Sequence, residues 1–366
     1  DLLKVIKMKL KKLISAVMLS AISIMAVSGC STNQNEQLDG NMESAQEQSS
    51  AAYEQNENNE EIASDNEKMN IVMLKGPTAI GAASLMEKSD NGNAVGNYNF
   101  TIETSPDTVV GRIVSGEADA AAVPSNVAAA LYNKTEGGVQ VVAINTLGTL
   151  YLIENGNSIN SADDLSNKTI YSSGQGAVPE YVLNYIISSS GTENVDVKFM
   201  SSHDELAAAV ASGQVDNALL PEPYVDVALS KNNDLRIALD IAQCWDQYTG
   251  LSFNGVPNSL PMGCLVVRRE YAQNNSEAIK TLAEEYSQSI DYVNTNTSKA
   301  AEYVVSYGII EDREIAESAI PKCNISYVDG DNMKDIMDKF IDVMFSSNPK
   351  SIGGKLPEED FYYSIQ

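Results

Sequence analysis

Two short stretches of this chain say nearly the same thing. Residues 115–126 read SGEADAAAVPSN and residues 212–223 read SGQVDNALLPEP. Serine, glycine, aspartate and proline therefore recur in register at Ser115/Ser212, Gly116/Gly213, Asp119/Asp216 and Pro124/Pro221, 97 residues apart. Each copy predicts a helix stopped by glycine, a tight turn, and an apolar strand that runs out through proline into the next helix or loop. A chain that repeats this corner at such a distance is constrained to build two comparable α/β halves. In an open α/β sheet ligands bind beyond the carboxyl ends of the strands. Pro124-Ser125-Asn126 and Pro221-Glu222-Pro223-Tyr224 thus mark two strand tips, and a cleft is expected between them.

The remainder of residues 69–366 alternates in the same way. Asn70–Leu74 reads as a short apolar strand, followed by KGPT and a helix over Ala79–Lys88. Tyr98–Glu103 alternates as a strand, and Ser105-Pro106 reads as an N-cap with proline in the first helical turn. Ala118–Val123 is apolar enough for a strand covered on both faces. Val139–Asn145 and Thr149–Ile153 predict further strands. The pattern restarts with strand Thr169–Ser172, helix Val178–Ile187, strand Val195–Met200, helix Asp204–Ser212 and strand Val215–Leu220. Met262–Arg268 returns as a strand, after which helices dominate. Ile279, Leu282, Tyr286 and Val293 mark one buried stripe; Met333, Ile336, Met337, Phe340 and Met344 mark another, read as helix-packing core. The fold class is α/β with mainly parallel strands, twice over.

The first 68 residues read differently. Lys4, Lys7, Lys9, Lys11 and Lys12 form a basic head, Met8 is a candidate start, and Leu13–Val27 is an uncharged, mostly apolar run. It is shorter than a membrane span and ends in small residues, as a secretory signal does. Val27-Ser28-Gly29-Cys30 resembles the lipobox of bacterial lipoproteins, which implies a signal peptide over 1–29 and lipid on Cys30. Residues 31–68 hold ten acidic residues against one lysine and little apolar material, so a disordered acidic tether is expected over 30–68. The body beyond it carries 39 acidic and 18 basic residues. That excludes nucleic acid as a partner, because phosphate contacts need a basic face. Cys244, Cys264 and Cys323 have no metal spacing; one disulfide among them and free buried thiols are both compatible with the pattern.

LKGPTAIGA after the first strand, SADDLSNKTIYSSGQGAVPEYVL opening the second half, and LPEPYVDVAL resemble the substrate-binding lipoproteins of ABC importers. The likeness is to the nitrate/sulfonate/taurine-type branch, which also takes in thiamine-pyrimidine proteins, and it covers residues 70–362. It implies the type II periplasmic-binding-protein fold: two lobes joined by two crossover strands, lobe 1 over 69–152 and 258–366, and lobe 2 over 153–257. The crossings are expected near Leu150–Ile159 and Ser252–Leu260. The implied partners are a small solute, an ABC permease and its ATPase, and the membrane through Cys30, with the protein acting as a monomer on the extracytoplasmic face. No cofactor is expected.

Candidate solute contacts lie where helices begin after the strands. Gly76 and Thr78 open one helix whose N–H groups face outward. Gly174, Gln175 and Gly176 open another, the glycines allowing close backbone approach. Ser125, Asn126, Glu222 and Tyr224 offer side-chain hydrogen bonds, and Trp245, the single tryptophan, offers an aromatic face. Glu222, Tyr224 and Trp245 suit a planar organic ring, such as a thiamine precursor; sulfonate or nitrate is the other class, with Lys75 the cation near a predicted strand end. The one histidine, His203, reads as a surface residue opening a helix, and no imidazole cluster or Ser-His dyad is expected. The chain therefore reads as a non-enzymatic solute binder; the alternatives are a solute-sensing or adhesive surface lipoprotein, and less so a pyrimidine-synthase-like enzyme.

Overall fold

The computed structural model describes residues 68–251 and 258–365. The expected signal peptide, Cys30 and the tether up to residue 67 lie outside them, as does most of the expected second crossing. Eleven strands are described: β1 (Met69–Leu74), β2 (Tyr98–Glu103), β3 (Ala120–Pro124), β4 (Val139–Thr146), β5 (Leu150–Asn155), β6 (Thr169–Ser173), β7 (Asp196–Met200), β8 (Asn217–Pro221), β9 (Leu235–Asp240), β10 (Gly263–Arg268) and β11 (Ile325–Val328). The helices are α1 (Pro77–Ile80), α2 (Ala83–Asp90), α3 (Pro106–Ser115), α4 (Ser125–Lys134), α5 (Val178–Ser190), α6 (His203–Ala211), α7 (Tyr224–Lys231), α8 (Ile241–Thr249), α9 (Arg269–Asn274), α10 (Ser276–Thr295), α11 (Thr297–Ser306), α12 (Arg313–Ala319) and α13 (Gly330–Ser347).

The strands form two sheets, ordered β11-β4-β10-β3-β1-β2 and β7-β6-β8-β5-β9. β1, β2 and β3 run parallel, as do β6, β7 and β8. Beside them in each sheet stands one antiparallel strand, β10 or β5, and beyond it a strand that runs with the first three. The antiparallel strand is in both cases the one that has just arrived from the other sheet. This is the two-lobed type II periplasmic-binding-protein architecture, each lobe a mainly parallel sheet with helices on its faces. β11 is an antiparallel addition to the edge of the first sheet.

The repeated phrase has a structural meaning in this frame. β3 and β8 occupy the same place in their sheets, and Gly116 (φ 79°) and Gly213 (φ 73°) take the left-handed conformation that ends the preceding helix. Pro124 pairs with Gly263 and Pro221 pairs with Leu150, so each proline lies opposite the first residue of a strand arriving from the other lobe. The ladder continues past both tips: the Ser125 N–H donates to the Met262 carbonyl at 3.2 Å, and the Glu222 N–H to the Thr149 carbonyl at 2.9 Å. Both tips therefore end at the hinge.

The hinge itself corrects one expectation. Leu150–Asn155 is not a connection but β5, paired with β8 and β9 inside the second sheet; the chain passes between lobes at residues 147–149. An apolar run reveals a strand but not the sheet it joins, which explains the displacement. Gly148 is required there, since a Cβ on it would lie 2.2 Å from the Ala242 Cβ. Its N–H donates to Asn258 Oδ1 at 3.0 Å, tying the two crossings together.

Three apolar cores follow from the layers. Alternate residues of β1 face opposite ways: Ile71 and Met73 enter a core built with α2, α10 and α11, whereas Val72 enters a core shared by both lobes. In that shared core the α13 stripe of Met333, Ile336, Met337, Phe340 and Met344, wholly buried as expected, meets Val182 and Ile186 of α5 and Trp245 of α8. A third core lies under α6 and α7 in the second lobe. β9 and β11 were not anticipated: both are short edge strands, and Leu235–Asp240 (LRIALD) is only partly buried. The three described cysteines are free thiols, Cys264 and Cys323 buried and Cys244 half-buried.

Candidate functional site

On the first lobe, β1 ends at Leu74 and the chain turns through Gly76 (φ 118°) into α1. The Thr78 hydroxyl donates back to the Leu74 carbonyl at 2.8 Å. The Thr78 carbonyl accepts from Asn145 Nδ2 at 3.2 Å, and the same amide donates to the Tyr286 hydroxyl at 3.0 Å. Thr78 also packs on Gly263, where a Cβ would meet its methyl at 2.4 Å. This threonine thus fastens α1 to the sheet and is only 8% exposed. Ser125 is fully enclosed, its hydroxyl beside the Cys264 thiol that burial pushes up to about 12. Asn126 directs its amide to the Ser351 carbonyl at 3.4 Å. Lys75 remains a third exposed, 3.9 Å from Glu311.

On the second lobe, Gly174 (φ 80°) and Gly176 (φ 77°) shape the loop into α5. The Gly176 N–H is occupied, donating to the Glu180 carboxylate at 2.5 Å. Gln175 and Gly176 are exposed, and Gly174 is half-buried. At the neighbouring tips, Ser173 Oγ and His203 Nδ1 share a hydrogen bond whose direction depends on the tautomer. The His203 ring lies 5.1 Å from that of Tyr224, tilted by 41°. Burial lowers the His203 pKa, offset in part by Asp204, so the ring is neutral at physiological pH. His203 does open a helix as expected, with Ser202 as its cap. It is not a free surface residue, however, because its ring is held between two other strand tips. The clue in the sequence was positional: Ser173 ends one strand, and His203 and Tyr224 each follow the end of another, in one parallel set.

Two expected contacts sit elsewhere. Trp245 has no exposed surface and lies in the seam between lobes, 5.2 Å from the Tyr185 ring and 6.2 Å from that of Phe340. A lone tryptophan in an amphipathic helix fills a core as readily as it offers a face, and here the apolar seam took it. Glu222 is likewise fully enclosed. One of its oxygens accepts from the Asp226 N–H at 3.2 Å, and the other has no partner. Its neighbours from lobe 1 are Lys322 and Cys323.

The family model for menaquinone biosynthesis matches residues 86–319, from within α2 to the end of α12. The chain belongs to this family. The nitrate/sulfonate/taurine-type branch expected from the sequence is not the one whose model matches. No curated protein matches the chain. Among solved structures, an ABC transporter protein from Parabacteroides distasonis aligns over 82% of this chain and 99% of its own, with 23% identity and a TM-score of 0.69. The periplasmic aliphatic sulphonate binding protein of Escherichia coli aligns over 82% and 93%, with 12% identity and a TM-score of 0.63. The ligand-binding component of an ABC-type import system from Staphylococcus aureus aligns over 81% and 96%, with 11% identity and a TM-score of 0.62. At these identities the likeness is one of fold, so this member of the menaquinone biosynthesis family has the two-lobed form of those proteins.

Proposed function

We propose that this chain is an extracytoplasmic solute-binding protein that closes its lobes on a small organic molecule and delivers it to an ABC permease and its ATPase. The observation that carries this reading is the doubled sheet, with the tips of β3 and β8 ending together at one hinge. The transport names of its structural neighbours support it. Lipid on Cys30 holds the protein at the membrane.

Of the groups named for the solute, Gly76, Gly174, Gln175, Gly176 and Tyr224 are the accessible ones, joined by Lys75 and His203, whereas Thr78 and Asn126 are nearly buried. Ser125, Glu222 and Trp245 take structural roles. A planar ring fits better than sulfonate or nitrate. The N–H at Gly176 is already engaged by Glu180, whereas His203 and Tyr224 present an aromatic face. A thermal-shift screen over taurine, alkanesulfonates, nitrate and hydroxymethylpyrimidine tests this, since a ligand of the native state alone raises Tm. Stabilisation by the pyrimidine, lost in Tyr224→Ala, is expected; stabilisation by sulfonates alone overturns the ring preference.

A second reading is favoured by the family's name and by the Ser173–His203 hydrogen bond. In it the same cleft belongs to a biosynthetic enzyme in which His203 moves a proton. Mass analysis of each stabilising solute after incubation separates the two. Transport requires that it be recovered unchanged.

A further inference from the structure

The lobes also meet on an ionic contact whose carboxylate is buried and whose lysine is 37% exposed. α7 of lobe 2 packs against α12 of lobe 1. Beside that junction Asp226, in the first turn of α7 and 6% exposed, pairs with Lys322 from the turn that leads into β11. Glu222 stands directly behind, joined to Asp226 through the Asp226 N–H. Glu222 Oε1 and Asp226 Oδ2 are both buried without a partner. The other groups facing Glu222 are the Cys323 thiol, from the same turn as Lys322, and Tyr151 of β5, whose hydroxyl donates to the Lys322 carbonyl at 3.1 Å. Burial raises both of their pKa values, so neither supplies a charge at neutral pH. One ammonium therefore confronts two enclosed carboxyls.

We propose that the Asp226–Lys322 contact is an interlobe latch whose second carboxyl, Glu222, takes up a proton as the lobes close. Two enclosed carboxylates cannot share a single lysine without one uncompensated buried charge. That charge is removed by protonation, or by parting the lobes so that water reaches it. Desolvation pushes the Glu222 carboxyl up to about 8, with Asp226 adding to the rise; the Asp226 N–H and Lys322 offset only part of it. In the parted form Glu222 returns toward its ordinary range and ionises. Closing thus binds a proton, and the closed population falls as pH rises from about 4.5 to about 8 and levels off above it. This holds whatever the solute, because the latch lies on groups that the solute reading does not use.

Pulsed EPR tests it, with nitroxides on ketone-bearing residues introduced at Glu311 and Ser230, which avoids the native thiols. The wild-type protein is expected to show one short distance at pH 6 and a longer one that grows as pH rises to about 8, with little further change above it. Glu222→Gln is expected to keep the short distance throughout. Asp226→Asn leaves Lys322 to Glu222 alone, and is expected to abolish the change between pH 6 and 9.5. A wild-type distance that does not move over this range overturns the proposal, as does a Glu222→Gln protein that tracks the wild type. Should that variant fail to fold, the wild-type titration and Asp226→Asn decide.

Discussion

The decisive contacts at the scale of single residues are close approaches and enclosed charges. Gly148 and Gly111 make a contrasting pair. A Cβ at Gly148 would overlap Ala242 at the hinge, whereas at Gly111, inside α3, nothing lies within 4 Å. Gly148→Ala is expected to destabilise by about 1–3 kcal/mol through overpacking. Gly111→Ala should stabilise by about 0.5–1 kcal/mol, because alanine loses less backbone freedom on entering a helix. Urea unfolding of the two variants measures both signs. Glu222 carries a pH signature of its own. Its folded pKa of about 8 lies above its ordinary 4.5, so the folded state holds the proton more tightly and the benefit is complete below about pH 4.5. It is lost as pH rises through 8, a change of at most about 5 kcal/mol if the carboxyl stays buried. Glu222→Gln removes that slope, and the stability difference between variant and wild type should therefore grow in the variant's favour from pH 5 to 8. A parallel pair of stability curves would mean that Glu222 does not titrate in this window.

Among the elements, α13 matters most, because its buried stripe belongs to neither lobe alone. The Phe340 ring lies 6.2 Å from that of Trp245 in α8, and the helix packs on α5 of the second lobe as well as on α4 and β4 of the first. Asn348, just beyond its end, donates to the Tyr181 hydroxyl at 2.9 Å. Phe340→Ala should cost about 3–5 kcal/mol, and unfolding should remain a single transition because both lobes lose the same contact. Leu206→Ala, in the core confined to lobe 2, should cost about 2–5 kcal/mol. Split transitions in the α13 variant, followed by circular dichroism and tryptophan fluorescence, would show that the seam does not couple the lobes. The methionine stripe itself was legible: its 3.6-residue period needs only one apolar neighbour. Which neighbour it met was not legible, since period reveals a buried face without saying what covers it.

For the whole molecule, the repeat at Ser115 and Ser212 was informative because a βα corner is a local device: glycine for the left-handed turn, apolar residues for a strand covered on both faces, proline where the ladder stops. Even so, its four shared residues do not do equal work. Asp119 accepts from the Asn70 N–H at 2.9 Å and pairs with Arg268 at 2.9 Å, whereas Asp216 is exposed and holds Asn155 through its carbonyl. A clamp of this form predicts that a solute bound at the tips stabilises both lobes at once. Tyr224→Ala and His203→Ala should each weaken an identified solute about tenfold, and His203→Ala should also lower Tm of the free protein because it leaves the buried Ser173 hydroxyl without its partner; calorimetric titration checks the first and thermal unfolding the second.

By itself the sequence determined the α/β class, the doubling, the strand tips and the apolar faces, all of which follow from local periodicity and from what glycine and proline do to a backbone. Only the tertiary structure decided which sheet received Leu150–Asn155, that Trp245 fills the seam, that His203 is gripped by Ser173 and Tyr224, and that Glu222 is shut away beside Lys322. Each of these depends on a partner distant in the chain. The side chain alone carries no record of whether that partner brings water, charge or an apolar wall.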